Sequence, residues 1–264
     1  MLETEFGAVT GEGVYSLGET AELTAIPEAG YVFGEWTEDT EGNDNPLFLV
    51  MTSSITVGAI FVPDEADADE DGLTNYQEFV VYGTDAEDAD SDDDGYIDGL
   101  EIDEGSNPNI DSSFPTRVLT LSQSQNGSIA GIGLVDGGSK IYPLGASATL
   151  TATPGTAYVF EGWSGSASGS ENPLTVTMNS DATLGAVFAR DLRDQDGDGL
   201  TNYDELLVHG TDYRVSDSDE DGYDDGVEIG EGTDPNNTTS IPQRRLSMAV
   251  PENGSVSGAG IYPF

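Results

Sequence analysis

Apolar and polar residues alternate along several short stretches of the chain. Ala148, Leu150 and Ala152 are separated by Thr149 and Thr151, and Leu174, Val176 and Met178 by Thr175 and Thr177. A period of two belongs to a strand with one buried face. Leu184, Ala186 and Phe188 continue the series, and an earlier stretch repeats it as Leu47, Leu49, Met51 and then Val57, Ala59, Phe61. Gly, Pro and Asn clusters punctuate these runs. The pattern predicts small all-β modules of five or six short strands. Tyr31, Phe33 and Trp36, with Tyr158, Phe160 and Trp163, are read as their aromatic core. A sugar-stacking platform is the alternative for these rings.

The alternation is itself repeated. Gly72-Leu73-Thr74-Asn75-Tyr76 returns as Gly199-Leu200-Thr201-Asn202-Tyr203, an offset of 127 (199 − 72). The same offset holds without a gap from Tyr15 to Pro108, matching Tyr142 to Pro235. Such a register identifies a tandem array. Each unit has a β half and an Asp-rich half. The expected division is a β module at 1–63, an acidic segment at 64–114, a β module at 115–189, an acidic segment at 190–242, and the start of a third β module at 243–264. Arg117 to Leu121 opens the second module as a strand, and Arg244 to Met248 is its counterpart in the third. The first module is expected to lack that strand. The chain is expected either to be cut from a longer array or to donate its spare strand to the next copy.

Composition adds a strong constraint. The 264 residues include 51 Asp and Glu against 7 Lys and Arg, a net charge of −44. Such a chain repels phosphates, so nucleic acid is excluded as a partner. There is no cysteine, so disulfides and thiolate metal sites are excluded. No apolar run reaches bilayer-spanning length, and no signal peptide is visible at the start. The crowded carboxylates need either disorder or cations.

Their spacing chooses cations. Asp67, Asp69 and Asp71 stand at positions 1, 3 and 5 of a twelve-residue loop, with Gly72 at 6, Asn75 at 9 and Glu78 at 12. The frame recurs as Asp90, Asp92, Asp94, Gly95, Asp98, Glu101; as Asp194, Asp196, Asp198, Gly199, Asn202, Glu205; and as Asp217, Asp219, Asp221, Gly222, Asp225, Glu228. This is the EF-hand calcium spacing, with a backbone carbonyl at position 7, here Leu73, Tyr96, Leu200 and Tyr223. Calcium takes about 6–8 oxygens, and Gly permits the sharp turn that winds the loop around the ion. Four Ca2+ ions are expected, one per loop, with further ions bridging loops left open. Paired loops start 23 residues apart (90 − 67), which leaves room only for short helices such as 74–82, stopped by Gly83.

Two family resemblances follow from these residues. Leu150 to Pro154, Tyr158 to Trp163, Asn172 to Met178 and Ala186 to Phe188 resemble the divergent relatives of the internalin B-repeat. That resemblance implies small β spacers or adhesive units of bacterial surface proteins. The paired loops, followed by Gly83-Thr84-Asp85 and Gly232-Thr233-Asp234-Pro235, are similar to bacterial thrombospondin type 3 repeats, in which the ions are structural. Asp85 and Asp212 are read as capping groups or supports for the ligands. The expected fold class is mainly β: a tandem array of small all-β modules alternating with calcium-loop segments that carry short helices.

Catalysis is not expected. The single His, His209, sits at a helix end, and the first unit has neither His nor Cys. The sole Lys, Lys140, lies in an insertion of the second unit, so lysine–asparagine cross-links are not expected. The reading is an extracellular or cell-surface stalk, adhesin shaft or fibre. Its expected partners are calcium and neighbouring repeats or head-to-tail copies of itself, with no membrane span. A glycan- or protein-binding adhesive module and an accessory region of a secreted enzyme are the alternatives.

Overall fold

The computed structural model describes residues 5–249, 252–255 and 257–263. The chain divides into two units, residues 1–116 and 117–264. In the first, β1 (Gly7–Thr10), β2 (Thr20–Pro27), β3 (Tyr31–Glu38), β4 (Leu47–Val50) and β5 (Val57–Pro63) form two antiparallel sheets, ordered β1-β2-β4 and β3-β5. Leu23, Ala25, Trp36 and Phe61 are buried between them. A π-helical turn (Gln77–Tyr82) and α1 (Asp98–Glu104) follow.

The second unit repeats this plan with additions. Its strands are β6 (Thr116–Leu121), β7 (Gly127–Gly131), β8 (Leu134–Val135), β9 (Ser139–Pro143), β10 (Ser147–Pro154), β11 (Tyr158–Gly165), β12 (Leu174–Thr177) and β13 (Ala182–Arg190). They form sheets β12-β10-β7-β8 and β11-β13-β6-β9. Leu119 and Leu121 of β6 lie in the core with Ile129, Leu150, Met178 and Leu184, all of them fully buried. β6 runs parallel to β13, pairing Leu119 with Ala182 and Leu121 with Leu184. Among the described residues, the five or six strands expected per β module become five in the first module and eight in the second. The insertion around Lys140 supplies β8 and β9. Its ammonium donates to the Ile132 carbonyl at 2.7 Å and lies over the Tyr142 ring. Then come α2 (Asn202–Asp204), a second π-helical turn (Glu205–His209), α3 (Asp225–Glu231), β14 (Gln243–Leu246) and β15 (Gly260–Pro263).

The repeated Asn-Pro-Leu motif has a structural role. Asn45 bonds Ala25 through both its amide nitrogen and its oxygen (2.8 and 3.0 Å), as Asn172 bonds Ala152 (2.7 and 3.0 Å). An asparagine side chain thus stands in for a strand neighbour at the edge of β2 and of β10. The same loop accepts the indole N–H, from Trp36 to the Asp44 carbonyl and from Trp163 to the Glu171 carbonyl. Both tryptophans are buried, so the aromatic series is core.

The acidic segments are built differently. Leu73, Ala86 and Pro108 are the buried apolar side chains between 64 and 114, and between 190 and 242 only Pro235 and Pro242 join the buried acids, Asn and Thr. What is buried instead is carboxylate: Glu78, Asp98, Glu101, Glu205, Asp225 and Glu228 are each 0% exposed. Each acidic segment is tied to its β module by one aspartate. Asp64 donates its N–H to the Gly30 carbonyl, accepts from the Tyr76 N–H, and takes the Asn75 amide on its carboxylate. Asp191 does the same with Ala157, Tyr203 and Asn202. Tyr31 meets Tyr76 edge-on, as Tyr158 meets Tyr203.

Candidate metal centres

The four loops share one local geometry. In each, the position-6 Gly N–H donates to the position-1 carboxylate: Gly72 to Asp67 (3.1 Å), Gly95 to Asp90 (2.9 Å), Gly199 to Asp194 (3.1 Å) and Gly222 to Asp217 (2.8 Å). The position-7 N–H donates to the position-5 carboxylate, from Leu73 to Asp71, Tyr96 to Asp94, Leu200 to Asp198 and Tyr223 to Asp221. The four glycines have φ between 97° and 101°, a backbone conformation that a Cβ would strain. The turn folds three carboxylates onto one point. Asp67, Asp69 and Asp71 offer oxygens within 4.8 Å of one another, as do Asp90, Asp92 and Asp94; Asp194, Asp196 and Asp198; and Asp217, Asp219 and Asp221.

The position-12 glutamates are carried by the helical turns. Thr74 and Gln77 cap the first turn reciprocally, backbone to side chain, at 2.8 and 3.2 Å, the pattern of a capping box. Thr201 and Asp204 cap the third loop's helix, with Thr201 Oγ1 accepting the Asp204 N–H. In the first and third loops the closing Gly lies five residues beyond the Glu, and the N–H groups of Gly83 and Gly210 donate to the backbone carbonyls of Glu78 and Glu205 at 2.7 and 2.6 Å. In the second and fourth loops it lies four residues beyond, and ordinary α-helix results. One extra residue therefore accounts for the π-helical form of the short helix expected before Gly83.

The glutamates carry the strongest electrostatic signature. Both carboxylate oxygens of Glu101, Glu205 and Glu228 are buried with no hydrogen-bond partner, as is Oε2 of Glu78, whose Oε1 accepts from Thr84 at 3.4 Å. One oxygen each of Asp69, Asp92, Asp94, Asp196, Asp219 and Asp221 is in the same condition. Burial, reinforced by neighbouring aspartates, pushes Glu78, Glu205 and Glu228 up to about 7. Burial raises Glu101 and Asp69, Asp94, Asp196 and Asp219 as well. A buried anion without a partner is costly and is compensated by a proton or a cation. The donor set is entirely carboxylate, amide and carbonyl oxygen, which suits a hard cation of calcium size.

Position 9 splits into two kinds. Asn75 and Asn202 spend their amide N–H groups on Asp64 and Asp191; Asn75 Oδ1 accepts from the Ala68 N–H, whereas Asn202 Oδ1 is buried without a partner. Asp98 and Asp225 take the backbone N–H and hydroxyl of Ser91 and Ser218 in their own loops. Asp225 also shares a 4.8 Å cluster with Asp198 and Glu205 of the preceding loop. The following glycines lock the pair of loops. Gly99 donates to Asp71 (2.8 Å) and Gly226 to Asp198 (2.9 Å), and an added Cβ would stand 2.3 and 2.2 Å from the Asp71 and Asp198 carbonyl oxygens. Loop spacing alone did not reveal this link; its sequence signal is the Asp-Gly pair at positions 9 and 10 of the second and fourth loops. Asp85 and Asp212 each accept the N–H two residues on, closing a turn.

Comparison with known families agrees with both halves. The sequence matches the divergent InlB B-repeat domain over residues 2–65 and 117–192. It matches the bacterial TSP3 repeat over 90–109, 194–212 and 217–238, which takes in the second, third and fourth loops and leaves the first outside the matched residues. No curated protein and no solved structure matches the chain. Among the described residues no helix is long and apolar enough to cross a membrane. More than half of its residues lie within the first of these matches, and the chain belongs to the divergent InlB B-repeat family, with bacterial TSP3 repeats in its acidic segments.

Proposed function

We propose that the chain is an extracellular structural repeat segment, a stalk, adhesin shaft or matrix fibre, stiffened by calcium in four loops. In this reading β modules occupy 1–63 and 115–189, calcium segments 64–114 and 190–242, and a further β module begins at 243. The observation that carries it is the set of four fully buried position-12 glutamates beside aspartate triads. Side chains at positions 1, 3, 5 and 12 would hold each ion, with the position-7 carbonyl and the position-9 side chain completing the shell. The bound ion would neutralise carboxylates that the surrounding protein leaves unpaired. With so little apolar burial in these segments, ion binding is then largely folding free energy. The partners in such an array are calcium and neighbouring repeats, and no catalytic role is assigned. Calorimetric titration tests the reading: about four calcium ions per chain are expected, with affinities of about 10⁻⁴ to 10⁻³ M or tighter. Absence of calcium heat would remove its basis.

A further inference from the structure

Asp225 occupies position 9 of the fourth loop, yet its carboxylate lies against the third. The oxygens that come within 4.8 Å of one another put Asp225 with Asp198 and Glu205, while the fourth loop's own group is Asp217, Asp219 and Asp221. Asp225 and Glu205 are both 0% exposed. Neither oxygen of Glu205 has a hydrogen-bond partner. In the same loop Asn202, 1% exposed, leaves its Oδ1 unpartnered as well. Asp225 accepts one hydrogen bond on each oxygen, from the Ser218 N–H and hydroxyl at 2.8 and 2.7 Å. A carboxylate offers about four lone-pair sites, so each oxygen keeps one for a further partner.

The backbone fixes this approach. Gly226, the next residue, donates its N–H to the Asp198 carboxylate at 2.9 Å, and a Cβ there would stand 2.2 Å from the Asp198 carbonyl oxygen. The first pair of loops repeats these bonds, from Ser91 to Asp98 and from Gly99 to Asp71. Calcium holds its oxygens at about 2.3–2.6 Å, so oxygens around one ion stand up to about 5 Å apart. The three carboxylates meet that condition. We propose that Asp225 is a ligand of the third loop's calcium ion, completing with Asp198 and Glu205 a shell that draws on two loops. The third site then reaches full affinity only when α3, which begins at Asp225, is in place. The inference rests on the calcium reading and reassigns one ligand within it, leaving the count of one ion per loop unchanged.

Gly199 and Gly222 report on the two sites separately, because each donates its N–H to the position-1 carboxylate of its own loop. Calcium titration of the full isotope-labelled chain, followed by nuclear magnetic resonance of these two amides, gives a midpoint for each loop. Asp225→Asn is the perturbation. Its amide keeps an oxygen for the Ser218 N–H and a donor for the Ser218 hydroxyl, and removes one charge. Affinity follows ligand charge, so the Gly199 midpoint should rise about ten- to a hundredfold while that of Gly222 moves less than about threefold. Ser218→Ala separates ligation from packing, since it takes a hydroxyl from the fourth loop and leaves the Asp225 charge; the Gly199 midpoint should then stay within about threefold of the wild type. A rise at Gly222 alone in Asp225→Asn would return Asp225 to its own loop and overturn the proposal, and so would two unchanged midpoints. An equal rise of the Gly199 midpoint in Ser218→Ala would reduce Asp225 to a packing group. Absence of any calcium shift at all four position-6 glycines would end the four-loop reading and this inference with it, a result distinguishable from each of the others.

Discussion

Replacing Glu205 with Gln should change stability in opposite directions with and without calcium. Glu205 is 0% exposed, both its oxygens lack partners, and it lies with Asp198 and Asp225 in one cluster. A carboxyl that titrates at about 7 instead of 4.5 withholds about 3 kcal/mol from the ion-free fold at pH 8. Relaxation and water entry in the ion-free loop lower this to about 1–2 kcal/mol. The amide removes that burden, so in chelator the 190–242 segment should open less often. Calcium acts the other way. At 10 mM ion and a dissociation constant of about 10⁻⁴ M, a loop gains about 2.7 kcal/mol. A site weakened about a hundredfold would keep only about 0.4 kcal/mol. Native-state proteolysis at pH 8 reads both effects, because cleavage follows the open population when reclosing is fast. Glu205→Gln should slow cleavage in chelator by about 5- to 30-fold and lose most of the protection that calcium gives the wild type. Faster cleavage in chelator, or undiminished calcium protection, would refute the view that Glu205 is an unpaired buried anion awaiting a cation.

Chelator should expose 64–114 and 190–242 to protease while the near-ultraviolet signals of buried Trp36 and Trp163 persist; simultaneous loss of both would show that the β modules depend on the ions. The glutamates also set a pH dependence. Glu78, Glu205 and Glu228 are raised from 4.5 to about 7, so their contribution to the ion-free fold is complete below pH 4.5 and lost as pH rises through about 7. Protease resistance in chelator should therefore fall between pH 4.5 and 7, while calorimetry at pH 6 in buffers of different ionisation enthalpy should show protons released as calcium binds. Leu121→Ala, at a fully buried position of β6, should cost about 2–5 kcal/mol in denaturant unfolding of the second module; a cost below about 1 kcal/mol would mean that β6 is not part of that core.

Much of this architecture is legible because it is written twice. The 127-residue register and the alternation of Leu174, Val176 and Met178 locate the β modules without any structure. The loop frames are legible because calcium-type turns demand fixed residue types at fixed steps. What escapes is contact between elements. Spacing within the fourth loop assigns Asp225 to its own site, yet its neighbours at 4.8 Å include Asp198 and Glu205 of the third. The π-helical turns depend on one residue between Glu205 and Gly210, a difference that helix propensity does not register. The parallel partnership of β6 with β13 joins segments 63 positions apart (182 − 119), beyond any local pattern. The Asn45 and Asn172 side chains that cap a sheet edge look in sequence like ordinary turn residues.

The carboxylate interior of the acidic segments bears on how such a chain would behave under tension. A segment held by apolar packing gives way only when its core is torn open. On the proposed reading, a segment of about fifty residues whose buried groups repel one another would hold its fold through the ions. Drawn out, it would lengthen to about 3.4 Å per residue, roughly 170 Å for each. The β modules on either side would stay closed at the forces that empty the loops. Asp64 and Asp191 sit where the pull passes from one regime to the other. The repeat would then act as a tether with stored length, and the calcium concentration around it would set how much of that length is paid out.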